Sequence, residues 1–269
     1  MGLGERLGGG AGTLTGTPAA RGRAFVGTAG WSIPGKDAAS FAADGTSLQR
    51  YAGRFTGVEV NSSFHRSHRR STWQRWADGV PPDFGFAAKL PKTITHQRKL
   101  VDCADLIDAF LDEVGGLGDK LAVLLVQLPP KLGFDADLAT GFFKDLAART
   151  PVRIACEPRH PSWFDADADA LLTGLGVARV AADPACVPAA ALPGGWLGFS
   201  YDRLHGSPQI YRSSYDGERL EAFARSIMKT MEAGRDAWCM FDNTASSAAT
   251  ANALDLLTML DSAPLDREP

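Results

Sequence analysis

The chain has 269 residues, of which 45% are apolar and 22% charged, and its formal net charge is −3. This composition is ordinary for a globular protein with a full core, and the acidic balance argues against a protein whose whole surface binds nucleic acid or membrane. No apolar run approaches the roughly 18 to 20 residues that span a bilayer, and the N-terminus lacks the apolar segment of a signal peptide. A zinc ribbon or a disulfide framework is not predicted either, because four widely separated cysteines are present: Cys103, Cys156, Cys186 and Cys239. We therefore expect a cytoplasmic protein with no membrane partner.

Composition divides the chain into three parts. Residues 1–23 are rich in Gly, Thr, Ala and Arg with few large apolar side chains, which predicts a disordered N-terminal tail. Residues 24–262 contain no Pro- or Ser-rich linker, so we predict a single domain there. Residues 263–269 are predicted to be a C-terminal tail.

Eight short apolar runs, each closing on a polar or charged residue, follow one another along the domain. The runs are 26–31, 58–61, 86–89, 123–127, 152–157, 180–183, 199–205 and 240–243. Stretches with helical spacing lie between most of them, and this alternation indicates parallel strands. An open doubly wound sheet would spread the polar strand ends along a crevice, whereas an α/β TIM-type (β/α)8 barrel gathers all eight at one mouth. We predict the barrel, with an irregular sixth crossover because residues 185–195 do not suit a full helix.

Several dispersed motifs resemble one known family. They are GTAGW (27–31), VEVNSSF (58–64), ITH (94–96), EPRHPSW (157–163), RLHG (203–206) and FDNTA (241–245). In this order they are similar to the DUF72 (YecE-like) family over roughly Ala24 to Leu260. The resemblance implies a TIM barrel and a set of positions at its mouth, but no particular reaction. One departure is His65, where many members carry Tyr, so a ring hydroxyl at that position does not carry over.

Carboxylates and one imidazole end five of the predicted strands. We assign a base role to Glu157, an acid role to His205 and a third catalytic role to Asp242, because such groups move protons at barrel mouths. Glu59 and Asp183 are predicted to orient them or to bind a divalent metal, namely Mg, Mn or Zn. The alternative is that these carboxylates only pair with nearby cations in a hydrogen-bonded network.

Cations at three strand ends predict an anion site. A guanidinium matches phosphate or carboxylate at two points, and an ammonium supplies a compact charge. Amide and imidazole groups on the neighbouring loops are predicted to add hydrogen bonds. The predicted substrate- or anion-binding residues are Lys89, Arg159, Arg203, Asn243, Asn61 and His96.

These residues predict an enzyme of hydrolase or lyase type that acts on a small phosphate- or carboxylate-bearing substrate. A glycosidase is disfavoured, because the acid and nucleophile positions of such barrels are here Gln127 and His205. The alternative from another class is a non-catalytic nucleic-acid-binding barrel. It rests on residues 61–99, which carry eight Lys or Arg against two acidic residues and interleave Trp73 and Trp76. Tryptophans three apart are also typical of the buried stripe of a helix.

Overall fold

The computed structural model describes residues 20–262, in which strands and helices alternate. The strands are β1 (Ala24–Thr28), β2 (Gly57–Val60), β3 (Gly85–Lys89), β4 (Leu121–Gln127), β5 (Arg153–Glu157), β6 (Val177–Arg179), β7 (Ala181–Asp183), β8 (Gly194–Gly195), β9 (Phe199–Leu204) and β10 (Asp236–Phe241). The helices are α1 (Ser47–Ala52), α2 (Ser62–His65), α3 (Arg70–Asp78), α4 (Ala104–Val114), α5 (Ala136–Arg149), α6 (Ala166–Gly174), α7 (Gly217–Glu232) and α8 (Ala249–Ser262). None of these helices combines the length and apolar character needed to cross a membrane.

The strand pairings run around a ring. Parallel ladders join β2, β3, β4, β5 and β6 in that order, and a second parallel series joins β7, β9, β10 and β1. The strands β6 and β7 are two halves of one strand interrupted at Val180, whose amide donates to the Cys156 carbonyl at 2.8 Å. The remaining junction is a parallel bridge between Ala29 and Glu59, after β1 and in β2. Eight strand positions thus close the ring, and the predicted TIM-type barrel is confirmed.

The barrel interior is filled by large apolar side chains at its lower levels. Phe25 stacks on Trp238 with ring centroids 4.4 Å apart, and Tyr201 stacks on the same indole at 5.9 Å. Space around this stack is tight, since a Cβ built on Gly85 would lie 2.8 Å from Trp238 Cη2. The interior is therefore a packed core, and polar groups are confined to the level above it.

The helices pack their apolar stripes against the outside of the ring. In α5 the buried positions Ala139, Phe142, Phe143 and Leu146 recur at the spacing of one helical face. This helix begins after Asp135, whose side chain accepts a hydrogen bond from the Leu138 amide at 2.9 Å. This stripe of apolar residues is thus the face that packs against the ring of strands.

The sixth crossover is irregular, as predicted. In place of a full helix it contains a short 3-10 turn, Pro188–Ala191, and the two-residue strand β8, which pairs antiparallel with β6. Arg179 of β6 holds this connection, because its guanidinium donates to the Ala189 carbonyl at 2.9 Å and lies 3.2 Å from Asp169 of α6. A compact linker thus replaces the helix.

The predicted tails fall largely outside the described part of the chain, which excludes residues 1–19 and 263–269. Two residues assigned to the N-terminal tail do belong to the barrel. The Gly22 amide donates to the Met231 carbonyl at 2.9 Å, and the Arg23 amide donates to Asp236 at 3.0 Å. Hydrogen bonding to the barrel therefore includes Gly22 and Arg23, just before the predicted boundary at residue 24.

Candidate active site

Arg203 lies at the centre of a polar cluster at the carboxyl ends of the strands, which we call the mouth. Its Nε and Nη2 atoms donate to the two oxygens of Glu59 at 2.9 and 2.6 Å. Its Nη1 donates to Glu157 at 2.6 Å, and Nη2 also donates to Asp242 at 2.9 Å. Burial opposes the charged form, but Glu157, Glu59 and Asp242 outweigh it and hold the pKa of Arg203 above its ordinary value.

Glu59 is fully buried and both of its oxygens are used by the protein. Besides the two bonds from Arg203, its Oε2 accepts a hydrogen bond from the Tyr201 hydroxyl at 2.8 Å. Tyr201 precedes Arg203 by two residues on β9, so both side chains face the barrel interior. Burial and the adjacent Glu59 carboxylate raise the pKa of Tyr201, which keeps the phenol protonated.

His205 connects the two other carboxylates. Its Nδ1 lies 3.1 Å from Asp242 Oδ2, and its Nε2 lies 3.0 Å from Glu157 Oε1. The amino nitrogen Nη2 of Arg159 lies 2.6 Å from the same Glu157 oxygen and 2.9 Å from His205 Nε2. A guanidinium only donates, so a His205 that donates to Glu157 leaves Arg159 bonded to the carboxylate alone. The result is a hydrogen-bonded chain from Glu157 through His205 to Asp242.

The carboxyl groups of this chain are weak bases. Burial works to raise the pKa of Glu157, but Arg203, Arg159 and the bond to His205 hold it well below the usual range. Burial likewise opposes ionisation of Asp242, and Arg203, His205 and Lys89 outweigh it, so the pKa of Asp242 is lowered too. Both groups are therefore carboxylates near neutral pH, and Glu157 is poorly suited to take a proton as a free base.

A cavity of about 720 Å³ opens above this cluster, and we call it the mouth cavity. Its walls include Asn61, Phe64, Lys89, His96, Gln127, Arg159, Tyr211 and Asp242. Glu157, Arg203 and His205 are not among its walls and are at most 1% exposed, so they lie beneath it. Of the three predicted catalytic residues, Asp242 alone is on the cavity wall.

Lys89 and Arg159 are the two cations on the cavity wall. Lys89 ends β3, and its Nζ lies 4.3 Å from the centre of the Phe64 ring. Burial and the nearby Arg203 lower the pKa of Lys89 to about 8, against the opposing effect of Glu59, Glu157 and Asp242. Arg159 binds Glu157 through one amino nitrogen and has a buried Nε with no hydrogen-bond partner in the described structure.

Asn61 and His96 are also on the cavity wall, as the anion-site prediction requires. The Asn61 Oδ1 atom is buried without a hydrogen-bond partner in residues 20–262. His96 Nδ1 lies 2.9 Å from the Thr95 hydroxyl. Burial and the charge of Lys89 lower the pKa of His96, so its ring is neutral at physiological pH.

Arg203 and Asn243 were predicted to bind an anion, and the structure corrects both. Arg203 uses four of its five N–H donors on carboxylates, is 1% exposed and does not line the cavity, so a ligand there does not reach it. Asn243 is fully buried, and its Nδ2 donates to the Ser213 carbonyl at 2.9 Å and to Asn252 Oδ1 at 3.0 Å. Asn243 therefore fixes the loop that follows β9.

The metal prediction for Glu59 and Asp183 does not hold as a shared site. Val180 and Ala182 face the mouth cavity, so the alternation of the strand turns Asp183 outward, where its Oδ1 accepts from Arg219 of α7 at 2.5 Å. Glu59 is saturated by Arg203 and Tyr201. Within residues 20–262, no three His, Cys, Asp or Glu side chains are grouped in a way that could hold a metal ion.

The basic segment 61–99 is partly occupied by internal contacts. Trp73 is 0% exposed and lies on the buried face of α3, whereas Trp76 is half-buried and packs edge-on against Trp31. Arg70 donates to the Asp112 carbonyl at 2.7 Å, and the His68 amide donates to Glu113 at 3.1 Å. Nucleic-acid binding by this segment stays a prediction, without Trp73 as a stacking platform.

Sequence reasoning missed two groups at the mouth. Tyr201 is detectable from the period of a strand, because it precedes Arg203 by two residues. Tyr211 lies against His205, with ring centroids 5.7 Å apart, on a loop that no pattern places there. Its amide donates to the His205 carbonyl, which brings this loop over the cavity.

A closed ring of parallel strands with a polar mouth defines an α/β barrel protein of the TIM type. The chain belongs to the family described as "Protein of unknown function DUF72", whose model matches residues 25–269. The predicted resemblance is thereby confirmed.

Relatives agree with this assignment. The UPF0759 protein YecE of Escherichia coli K12 is 33% identical over 150 residues, so the match spans about half of each chain, 54% of this one and 55% of YecE. The UPF0759 protein YunF of Bacillus subtilis 168 is 22% identical over 88% of this chain and 94% of its own. A crystal structure of a DUF72 family protein from Thermotoga maritima superposes with a TM-score of 0.74 at 22% identity, covering 89% of this chain and 99% of that one. One from Enterococcus faecalis gives 0.73 at 18% identity, covering 88% and 95%. The two superpositions concern the fold.

Proposed function

We propose that this barrel is an enzyme of hydrolase or lyase type that acts on a small substrate carrying phosphate or carboxylate in the mouth cavity. The observation that carries the proposal is the separation of charge at the mouth. The carboxylates Glu59 and Glu157 lie below the cavity and are neutralised by Arg203, whereas Lys89 and Arg159 line its wall. An anion in the cavity therefore meets two cations, and the one carboxylate on the wall that the structure describes, Asp242, is already bonded to Arg203 and His205.

Arg159 and Lys89 differ in what they offer a ligand. The Arg159 side chain is 22% exposed and presents a guanidinium edge that can bind two oxygens of one anion. Lys89 supplies a point charge from the neighbouring wall, and Asn61 and His96 offer polar atoms beside it. These four residues come from the carboxyl ends of strands or the loops after them, where barrel enzymes hold their substrates.

Asp242 is the carboxylate of the cluster that faces the cavity, where it can accept a hydrogen bond from substrate and orient it. Both of its hydrogen bonds use Oδ2, one from Arg203 and one with His205, so its second oxygen is available to substrate. His205 and Glu157 then act as positioning residues, because they fix the direction of Asp242 and extend a hydrogen-bonded path away from the cavity. We therefore assign the catalytic contact with substrate to Asp242 rather than to Glu157.

The test is anion-dependent stability. Inorganic phosphate and malonate are titrated at constant ionic strength while thermal unfolding is followed. A ligand bound only to the folded state contributes about 2.7 kcal/mol at 100 times its dissociation constant. We expect saturable stabilisation of the wild type and its loss in Arg159→Gln, with Arg54→Gln, exposed before β2 at the opposite end of the barrel, behaving as wild type.

Anions such as phosphate also stabilise proteins by exclusion from their surfaces, so the comparison between variants decides the outcome. An equal gain in wild type, Arg159→Gln and Arg54→Gln would show that the mouth has no specific anion site and would overturn the proposal. Because each variant is compared with itself in the absence of anion, a lower starting stability of Arg159→Gln does not affect the result.

A further inference from the structure

Lys89 is a buried amine that faces the mouth cavity without an ionic partner. Lys89 is 8% exposed, and its side chain is on the cavity wall. Among residues 20–262, no carboxylate oxygen lies within 4.0 Å of the Lys89 Nζ, the distance that defines an ion pair. The close contact that the structure describes for Nζ is with the face of the Phe64 ring. The amine is thus directed at the space where a substrate would lie.

A lysine with a purely structural role looks different in this same protein. The Nζ of Lys120 donates to the carbonyls of Ala77 and Val80 at 2.6 and 2.7 Å, which satisfies its charge by hydrogen bonds. Lys89 has no such bonds in the described structure. The nearby carboxylates Glu59, Glu157 and Asp242 are already bound by Arg203, Arg159 and His205.

The charges around Lys89 make its neutral form accessible. The ionisable groups that influence it most are Arg203, Glu59, Glu157 and Asp242. Burial and Arg203 favour loss of the proton, the three carboxylates oppose it, and the resulting pKa is about 8. An amine of this kind is nucleophilic near neutral pH, because a sizeable fraction carries a free lone pair.

We propose that Lys89 forms an imine with a small aldehyde or ketone that carries a carboxylate or phosphate group bound by Arg159. The proposal rests on the proposed function for the anion and adds the carbonyl group and the covalent step. The cavity suits such a molecule, since the amine and the guanidinium share one chamber of about 720 Å³ whose other walls include Phe64 and Pro158.

Imine formation at Lys89 passes through a carbinolamine. The Lys89 lone pair forms a bond to the carbonyl carbon, and one proton moves from nitrogen to the carbonyl oxygen to give a carbinolamine. After a second proton from solvent, that oxygen leaves as water and an iminium ion remains. The iminium accepts the electron pair of the bond between the α-carbon and the next carbon, which leaves as carbon dioxide from a carboxylate or as an aldehyde after its hydroxyl proton passes to solvent; this is the chemistry of a lyase. The enamine that remains takes a proton from solvent on its α-carbon to become an iminium again, and water hydrolyses that iminium to the carbonyl product and the free amine.

The experiment is reductive trapping. The full chain is incubated separately with glyoxylate, pyruvate and dihydroxyacetone phosphate in the presence of sodium cyanoborohydride, which converts an imine to a stable secondary amine. Intact mass and peptide mapping then locate the adduct. We expect modification at Lys89 with at least one probe, none at position 89 in Lys89→Met, and wild-type behaviour in Lys92→Arg, whose replaced lysine is exposed and lies three residues away.

The dependence on Arg159 separates this inference from the proposed function. If both are right, Arg159→Gln needs roughly tenfold more anionic probe for half-modification, while the neutral probe acetone reacts equally in both. Saturable phosphate binding without any adduct at Lys89 would overturn the imine and leave the anion site in place. Adducts spread over exposed lysines, with Lys89 unmodified in a folded protein, would overturn it as well. An adduct at Lys89 that forms equally well in wild type and Arg159→Gln supports the imine and contradicts the anion site.

Discussion

Arg203 and Glu59 form a two-point ion pair inside the barrel, with Nε to Oε2 at 2.9 Å and Nη2 to Oε1 at 2.6 Å. The residues are 144 positions apart in the chain and come from β9 and β2. Because both side chains are buried, removal of either one leaves the charge of the other without a partner and out of contact with water. The ion pair thus ties two distant strands of the ring at the level of the mouth.

Removal of the arginine alone should be severely destabilising. Arg203→Met leaves Glu59, Glu157 and Asp242 without their shared cation, and the expected loss is about 3–5 kcal/mol of unfolding free energy. The double variant Arg203→Met with Glu59→Gln should recover part of that loss, because one uncompensated charge is removed. Urea unfolding of the two single variants and the double variant measures this coupling. Additive losses would mean that the ion pair is not energetically coupled.

The lowered pKa of Glu157 predicts a dependence of stability on acid. A carboxyl whose pKa is depressed in the folded state contributes stability that is complete above its unfolded pKa of about 4.3 and is lost as pH falls toward the folded value. Wild-type stability should therefore fall below about pH 4, and Glu157→Gln should show a shallower fall in the same window. Equilibrium urea unfolding from pH 7 to pH 3 checks this, and parallel curves would contradict it.

Asp202 should behave in the opposite way. It is on the strand face opposite to Arg203, and burial raises its pKa to about 7. A raised folded pKa gives full stability below the unfolded value of about 3.9 and loses it as pH rises through the folded value. We expect Asp202→Asn to be more stable than wild type by about 1–3 kcal/mol at pH 8 and nearly equal to it at pH 4. A variant that is less stable at pH 8 would show that the ionised carboxylate has a partner.

Gly85 should not tolerate a side chain. A Cβ there would lie 2.8 Å from Trp238 and 2.9 Å from Phe25, whose rings are stacked in the barrel interior. Gly85→Ala is expected to cost about 1–3 kcal/mol by overpacking. Gly141→Ala is the matched control, because nothing lies within 4 Å of its Cβ and its place in α5 predicts a gain of about 0.5–1 kcal/mol. Thermal unfolding of both variants gives the comparison, and equal stabilities would contradict the tight packing.

The sequence predicted the barrel because its evidence is local. An apolar strand interrupted by a polar residue or by proline, as at Glu157 and Pro158, marks both the strand and its end without knowledge of the rest of the chain. Because the parallel strands of a barrel all end at the same face, eight such ends predicted a single mouth. The same argument placed Lys89, Arg159 and Asp242 on one cavity.

Partnership between side chains could not be predicted in the same way. Whether Arg203 binds a ligand or a carboxylate depends on where Glu59 lies. Glu59 is brought next to Arg203 only when the ring of strands closes. Asp183 faces away from the cavity because the strand alternation that puts Val180 and Ala182 on the cavity wall turns it outward, and only the tertiary structure brings Arg219 of α7 to it. Asn243 was misassigned since its partner Asn252 lies on a helix that folds back over it.

By itself, therefore, the sequence determined where the strands end and which kinds of polar group they carry. Strand periodicity and the polar or proline residues that end a strand depend only on neighbouring residues in the chain. The tertiary structure alone decided which cations are neutralised below the mouth and which remain on the cavity wall. The physical reason is that desolvation and pairing energies depend on distances between residues from different strands, such as Arg203 and Glu59, and these distances are set by how the ring closes.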